Sequence, residues 1–294
     1  MQFSIILPTF NRSHMIHNAI ESVINQTYEN WELIIVDDGS TDSTKTVVNK
    51  YKKLENKIKY IYQNNKERSA ARNKGIEQAN GDWICFLDSD DMYYKNHIDE
   101  FKSLIEKNNN KKGLYFSGVS YGEYSEDLEE YNMSYNNNLE FVLLNTIGTP
   151  RACASKQILK KHQFNQEINI GEDKELWSRI SQFYPVIFHK KKTFIELEHP
   201  NRSINLGSEQ ESLRTLKFIL KTVKIKRPVK KKILSNSFFN ISKMHIRNEQ
   251  KVMAFLYILR SILMNISNKQ NKHRILLLLS LIGLYKPIYS EYEK

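Results

Sequence analysis

Gly81-Asp82-Trp83-Ile84-Cys85-Phe86-Leu87-Asp88-Ser89-Asp90-Asp91 is the stretch around which the rest of the chain is organised. Trp83 to Leu87 is a run of five mostly apolar residues, long enough for one buried strand and too short for a buried helix. It leads directly into three carboxylates within four positions. In an open α/β sheet the loops leaving parallel strands converge at the carboxyl edge, and ligands bind there. Carboxylates gathered at such an edge repel one another unless a cation or a hydrogen-bond donor sits among them, and hard divalent ions take oxygen ligands of this kind. The stretch therefore predicts a metal site that also holds phosphate.

Upstream, strand and helix alternate three times. Phe3 to Leu7 reads as a buried strand stopped at Pro8. Ser13 caps a helix whose inner residues are Ile16, Ala19, Ile20, Val23 and Ile24. Leu33 to Val36 is a second strand that runs into Asp37-Asp38-Gly39-Ser40-Thr41-Asp42, a glycine turn followed by a helix cap. Val47, Val48 and Tyr51 line the next helix, Ile58 to Tyr62 is an edge strand, and a third helix runs from about Ser69 to Ala79. This alternation predicts a mostly parallel α/β sheet with right-handed crossovers, flanked by helices.

Downstream, a helix carries Ile98, Phe101, Leu104 and Ile105 inward, and a strand follows from Leu114 to Val119. Gly122 to Asn138 reads as a long loop over the site. Glu172-Asp173 opens a helix whose apolar side is Leu176, Trp177, Ile180 and Phe183. Val186 to Phe188 and Phe194 to Leu197 read as two short strands. From about Glu209 the pattern is helical, which divides the chain into residues 1–207 and a basic helical region, 208–294.

Charge follows the same division. Asn201 to Lys294 holds 19 Lys and Arg against 5 Asp and Glu, a balance of +14, whereas the preceding part holds 25 against 28, or −3. This distribution argues against a nucleic-acid groove through the acidic part and for a separate anionic partner of the tail. Lys224 to Lys232 and Ile275 to Tyr285 would suit an interfacial helix on anionic lipid, or a helical subdomain with a solvated basic face. The second segment is about half the roughly twenty residues a spanning helix needs. Two cysteines, Cys85 and Cys153, give neither a disulfide framework nor a zinc spacing, and the N-terminal segment has no secretion-signal pattern. Both features point to a cytoplasmic location, peripheral on the inner face of the membrane if the tail docks there.

Each candidate site residue has a functional and an ordinary use. Asp38 could accept a hydrogen bond from the N–H of a uracil or guanine edge, or Asp37-Asp38 could simply order the turn. Arg68 and Arg72, four apart at a helix start, could face a diphosphate or pair with Glu67 and Glu77. Asp90 is the better metal ligand, with Asp88 on a ribose or supporting the site, although acids here could also cap the next helix. Glu172 and Asp173 could complement a helix dipole or supply a general base for an incoming hydroxyl.

Taken in order, Ser4-Ile5-Ile6-Leu7-Pro8-Thr9-Phe10-Asn11-Arg12, Val36-Asp37-Asp38-Gly39-Ser40-Thr41-Asp42, Ala71-Arg72-Asn73-Lys74-Gly75-Ile76, Leu87-Asp88-Ser89-Asp90-Asp91 and Gly171-Glu172-Asp173 resemble a family 2 glycosyltransferase of GT-A fold over about residues 1 to 200. The resemblance implies an inverting transferase using a nucleotide sugar, most often a UDP-sugar, and a divalent metal, Mg2+ or Mn2+. It implies that Pro8 and Thr9 lie against the nucleoside, that Asp38 binds the base, and that Arg68 or Arg72 supports base or diphosphate. Asp88 and Asp90 match the Asp-X-Asp motif, the latter facing the metal, and Asp173 matches the catalytic base with Glu172 beside it. The acceptor would be a saccharide or lipid-linked saccharide. The family often has a glycine ahead of the Ser-X-Ala-Arg-Asn segment, where this chain has Lys66-Glu67-Arg68, and His199 is the remaining match near Glu196 to Pro200. A nucleotidyltransferase, or a non-catalytic nucleotide-binding protein that docks on membranes, would use many of the same residues.

Overall fold

Strand β1 (Phe3–Thr9) lies buried between two parallel neighbours, β2 (Trp31–Asp37) and β4 (Trp83–Phe86), with Thr9 level with Asp37 and Ile6 level with Phe86. All residues of the three strands are buried, as expected of continuous apolar runs covered on both faces. The parallel register brings the ends of β1, β2 and β4 out at one edge, so Pro8, Asp38 and Asp88 emerge there together. The computed structural model describes residues 1–121, 138–145, 147–197, 208–267 and 271–283.

The chain forms two compact units, one of Met1–Val142 with Thr146–Pro200 and one of Leu143–Asn145 with Asn201–Lys294. In the first, the crossover helices are α1 (Ile16–Ile24), α2 (Thr44–Leu54) and α3 (Glu67–Gln78), and the outer parallel strand is β3 (Ile58–Tyr62). After β4 come β5 (Met92–Tyr93), α4 (His97–Lys107), β6 (Leu114–Tyr121), α5 (Asn138–Leu144), a 3-10 turn at Thr149–Arg151, β7 (Ala152–Ser155), α6 (Lys156–Lys161), α7 (Glu172–Ile180) and β8 (Val186–Glu196). The sheet order is β3-β2-β1-β4-β7-β6-β8-β5. Its first half is parallel, β7 is antiparallel to both neighbours, and β8 runs parallel to β6. The expected α/β sheet, mostly parallel and flanked by helices, is thus present, with β3 on the edge.

Two apolar layers sandwich it. One joins Phe3, Ile5 and Leu7 to α1 and α4 through Ile20, Val23, Ile98 and Phe101. The other joins Ile6, Ile34 and Phe86 to α3, α6 and α7 through Ala71, Ile158 and Trp177. Alternate residues of each strand feed opposite layers.

Several local expectations are corrected. Ser13 does not cap α1: the residue before that helix is Met15, which makes no side-chain cap, and the Ser13 amide donates to Asp42. The two short strands at 186–197 are one strand, β8, whose pairing with β6 shifts register between Phe116 and Val119. The interruption in its apolar pattern is an irregular stretch within a continuous strand. Strand β5 has no signal in the sequence, because two residues carry no periodicity. Phe183 lies beyond α7 and is exposed. The loop expected at 122–138, apart from its last residue, and His199 lie outside the described residues.

The second unit contains α8 (Glu209–Thr222), α9 (Arg227–Arg247), α10 (Lys251–Met264) and α11 (Asn271–Leu281). Ser208 and Glu211 form a capping box at the start of α8. Phe239, Ile246, Ala254, Ile258 and Leu277 form its core. Among the described residues no helix is long and apolar enough to cross a membrane.

Gly81 sits where backbone approaches backbone. A Cβ there would lie 2.7 Å from the Ser4 amide nitrogen and 2.8 Å from the Phe3 carbonyl carbon, within the central strand. Gly81→Ala is expected to cost about 1–3 kcal/mol, seen as a lower urea midpoint at unchanged slope. An unchanged midpoint would refute the close approach.

Candidate active site

The carboxyl edge is laced before any ligand is considered. Asn11, at φ 53, is held in the left-handed region that Asn tolerates, and its Oδ1 accepts from the Thr41 amide at 2.8 Å. The Asn11 and Arg12 amides donate back to Ser40 and Thr44, so the loops after β1 and β2 are fastened to each other. Sequence reasoning misses Asn11 as a site residue. Its signal is an Asn in a strand-to-helix turn, which sequence alone does not separate from solvent-facing polarity.

Asp37 and Asp38 are both buried and do different work. Asp37 accepts from the Ser40 amide at 2.8 Å and from the Tyr60 hydroxyl at 2.6 Å, so it orders the turn and ties it to β3. Asp38 accepts through Oδ1 from Gln63 at 2.7 Å and from the Lys66 amide at 2.9 Å, and its second oxygen has no hydrogen-bond partner among the described residues. Thr9, beside it, is buried with its hydroxyl unpartnered among those residues, and Pro8 is buried in the same strand end. The next turn passes through Glu67 at φ 70, a conformation suited to glycine, just where the resemblance would place one. Arg68, next in line, is half-buried and makes no hydrogen bond or ion pair among the described residues.

Arg72 organises the centre. Its guanidinium is buried and donates at 2.7 Å to Asp88 and at 2.7 Å to Glu172, while its carbon lies 5.4 Å from the Phe164 ring centre. Burial alone would lower the proton affinity of this group, but the charges of Asp88 and Glu172 outweigh it and hold the guanidinium above its usual range. The two terminal nitrogens of Arg72 are thus each engaged by a carboxylate, and its Nε has no hydrogen-bond partner among the described residues. Helix α3 also positions the segment that leads into α7: Asn73 exchanges two hydrogen bonds of 2.9 Å with the Phe164 backbone, and the Ser69 hydroxyl reaches the Ile168 carbonyl at 3.4 Å. Gly171, at φ 77, then turns the chain into α7, so Glu172 and Asp173 arrive next to Asp88.

Glu172 is buried against Arg72, whereas Asp173 is half-buried and accepts from the Lys174 amide at 2.6 Å. Desolvation and the neighbouring Glu172 charge push the Asp173 carboxyl up to about 7, against the pull of the Lys174 amide and Arg72. Such a group is largely ionised above neutrality and can still take a proton near it.

Asp90 and Asp88 keep 22% and 31% of their side-chain surface exposed, and Arg12 approaches Asp90 at 3.8 Å. Asp91 is turned away from them, accepting from the Leu197 amide at 3.1 Å. Among the described residues no group of three or more His, Cys, Asp or Glu is placed to hold a metal. Two oxygen donors fit a magnesium-like ion, which typically takes one or two carboxylates and completes its shell with substrate phosphates and water.

The fold and this edge define an α/β protein with a carboxylate-lined rim at the ends of its parallel strands. Residues 4–162 match the profile of Glycosyl transferase family 2, and the chain belongs to that family. A glycosyltransferase of Rickettsia bellii is 34% identical over 184 residues, 60% of this chain and 26% of its own length. The chain thus spans about a quarter of that relative. The GalNAc(5)-diNAcBac-PP-undecaprenol beta-1,3-glucosyltransferase of Campylobacter jejuni is 27% identical over 232 residues, 76% of this chain and 74% of the relative. Among solved structures, S. aureus TarS 1-349 with UDP-GlcNAc superposes with a TM-score of 0.66 at 18% identity, covering 100% of this chain and 90% of TarS. Mannosyltransferase PcManGT of Pyrobaculum calidifontis, with GDP-Man and Mn2+, gives 0.65 at 15% identity, covering 99% and 83%. At these identities the two structures establish the shared GT-A fold.

Removing the Arg72 charge while keeping an apolar stem, as in Arg72→Leu, leaves Glu172 buried without a cation. The expected loss is about 3–5 kcal/mol, measured by urea unfolding at neutral pH. A loss below about 1 kcal/mol, the size of an exposed pair, would show that the clamp does not hold the two segments together.

Proposed function

We propose that the chain is an inverting glycosyltransferase that moves a sugar from a nucleotide sugar, a UDP-sugar, to a hydroxyl of a saccharide or lipid-linked saccharide during assembly of a surface polysaccharide or glycoconjugate. The observation that carries this reading is the convergence on Arg72 of the loop after β4 and the start of α7, with the raised carboxyl of Asp173 beside them. The relatives support it through what their names state: one acts on an undecaprenol-linked glycan, and one structure contains UDP-GlcNAc.

In this mechanism the free Asp38 oxygen accepts the uracil N–H, and the buried Thr9 hydroxyl and Pro8 face the nucleoside. Arg68 at the start of α3 meets the diphosphate. A divalent ion held by Asp90, with Asp88 beside it, would neutralise the leaving diphosphate. Asp173 takes the proton of the acceptor hydroxyl. The oxygen then forms its bond to the anomeric carbon from the face opposite the diphosphate, whose bond to that carbon breaks, so configuration inverts. Glu172 and Arg72 act through Asp88 and Asp173 as positioning residues. The acceptor is presented at an anionic membrane surface, with which the +14 balance of residues 201–294 is compatible.

Because the base must be ionised, kcat/KM is expected to rise about tenfold per pH unit below neutrality and to level off above about 7. A profile with no inflection between pH 5 and 8, assayed with a labelled UDP-sugar, would reject Asp173 as the base.

Asp173→Asn and Asp90→Ala are each expected to abolish transfer, the second also weakening metal-dependent nucleotide binding. Full transfer by either variant would rule out the corresponding role. Cleavage between the phosphates instead of sugar transfer would identify a nucleotidyltransferase.

A further inference from the structure

Helix α10, Lys251-Val252-Met253-Ala254-Phe255-Leu256-Tyr257-Ile258-Leu259-Arg260-Ser261-Ile262-Leu263-Met264, is apolar on two sides. Ala254, Tyr257, Ile258 and Ser261 face the interior of the helical unit and are buried. The opposite side carries Val252, Leu256, Leu259 and Leu263, spaced four, three and four apart, and all are exposed, Val252 by 74% and Leu263 by 61%. Met253, Met264 and Ile266 extend the patch. A helix apolar all round is normally covered all round, and a contiguous patch of this kind marks an interaction face.

The charges around it select the occupant. Lys251 and Arg260 are the charged residues of α10, and both are cations. The Ser235 hydroxyl donates to the Ser261 carbonyl at 2.7 Å, which sets the level at which α9 meets α10. Lys230, Lys231 and Lys232, one turn before Ser235 and exposed, are therefore level with the last turn of α10. Glu209 pairs with His245 at 2.8 Å and accepts from the hydroxyl of Tyr257, so it lies against the buried side of α10, and Glu249 forms the turn between α9 and α10. Apolar side chains flanked by cations fit a bilayer with anionic headgroups, in which an interfacial helix buries its apolar face about 5–10 Å deep. A second copy would bring two regions of balance +14 together.

We infer that the outward face of α10, led by Leu256 and Leu263, inserts into the headgroup layer of an anionic membrane. The inference rests on the membrane-surface reading above and adds the element that enters the lipid. It is tested on the full chain by co-sedimentation with vesicles of phosphatidylcholine alone or mixed with an equal part of phosphatidylglycerol. Wild type is expected to bind the mixed vesicles. The double variant Leu256→Ser, Leu263→Ser should bind them at least about tenfold more weakly, while Leu54→Ser, an exposed leucine of α2, should match wild type. Thermal melts of all three check folding. Replacing Lys230, Lys231 and Lys232 by Gln should narrow the difference between the two vesicle types.

Equal binding by wild type and the Leu256, Leu263 variant would overturn the inference and leave a purely electrostatic membrane contact standing. Failure of wild type to bind mixed vesicles would overturn the membrane-surface reading as well. A concentration-dependent dimer that the double variant dissolves would assign the face to a second copy instead.

Discussion

A single buried guanidinium ties the loop after β4 to the start of α7 at the carboxyl edge of this sheet. Arg72 bonds to Asp88, 16 residues on in sequence, and to Glu172, 100 residues on. Without a cation between them, two carboxylates brought to one edge would repel, and the buried one would favour its neutral form. The clamp therefore sets where α7 begins relative to β4, and with it the position of Asp173. Its own placement depends on α3, which packs Ala71 and Ile76 against the sheet and fixes the segment before α7 through Asn73. Local helix packing is thus converted into long-range geometry.

Much of the sheet was legible because its strands are short apolar runs broken by turn residues, a signal that depends on composition alone. The edge at which the acids gather was legible for the same reason: parallel strands deliver their carboxyl ends to one side. The partnership of each polar group was not legible. Arg72 sits at a helix start four residues from Arg68, and spacing places the two near one face, yet Arg72 is buried and doubly paired while Arg68 remains half-buried. That difference comes from Asp88 and Glu172, which no local window contains. Strand β8 reads as two because the polar run His189-Lys190-Lys191-Lys192 interrupts the apolar pattern. The backbone continues through it with a register shift, and His189 and Lys191 both reach Glu100.

The helical unit is a different case. Sequence points to the lysine-rich start of α9 and to the apolar run of α11, since both stand out in composition. Helix α10 is apolar at nearly every position, so its sequence does not say which side is buried. Only the packing reveals that its interior contacts use one side. A periodicity argument assigns a face when polar and apolar residues alternate, and it is silent when both faces are apolar.

Neighbouring acids of one type can be given opposed tasks by environment, and this edge does so twice. Asp37 has both oxygens engaged by the turn and by Tyr60, whereas Asp38, one residue on, has one oxygen free among the described residues. Glu172 has a guanidinium partner, whereas Asp173 has a backbone amide and the like charge of Glu172 beside it. In each pair the first acid is structural and the second is left available. At Asp173 the cost is borne by the charged form, which desolvation and Glu172 disfavour, and that same cost raises the group toward neutrality. A carboxyl with a full set of donors would be more stable ionised and correspondingly poorer at accepting a proton. The clamp keeps Glu172 charged, and that charge is one of the causes that raise Asp173, so the pairing made by Arg72 also sets the electrostatics of the residue next to its partner.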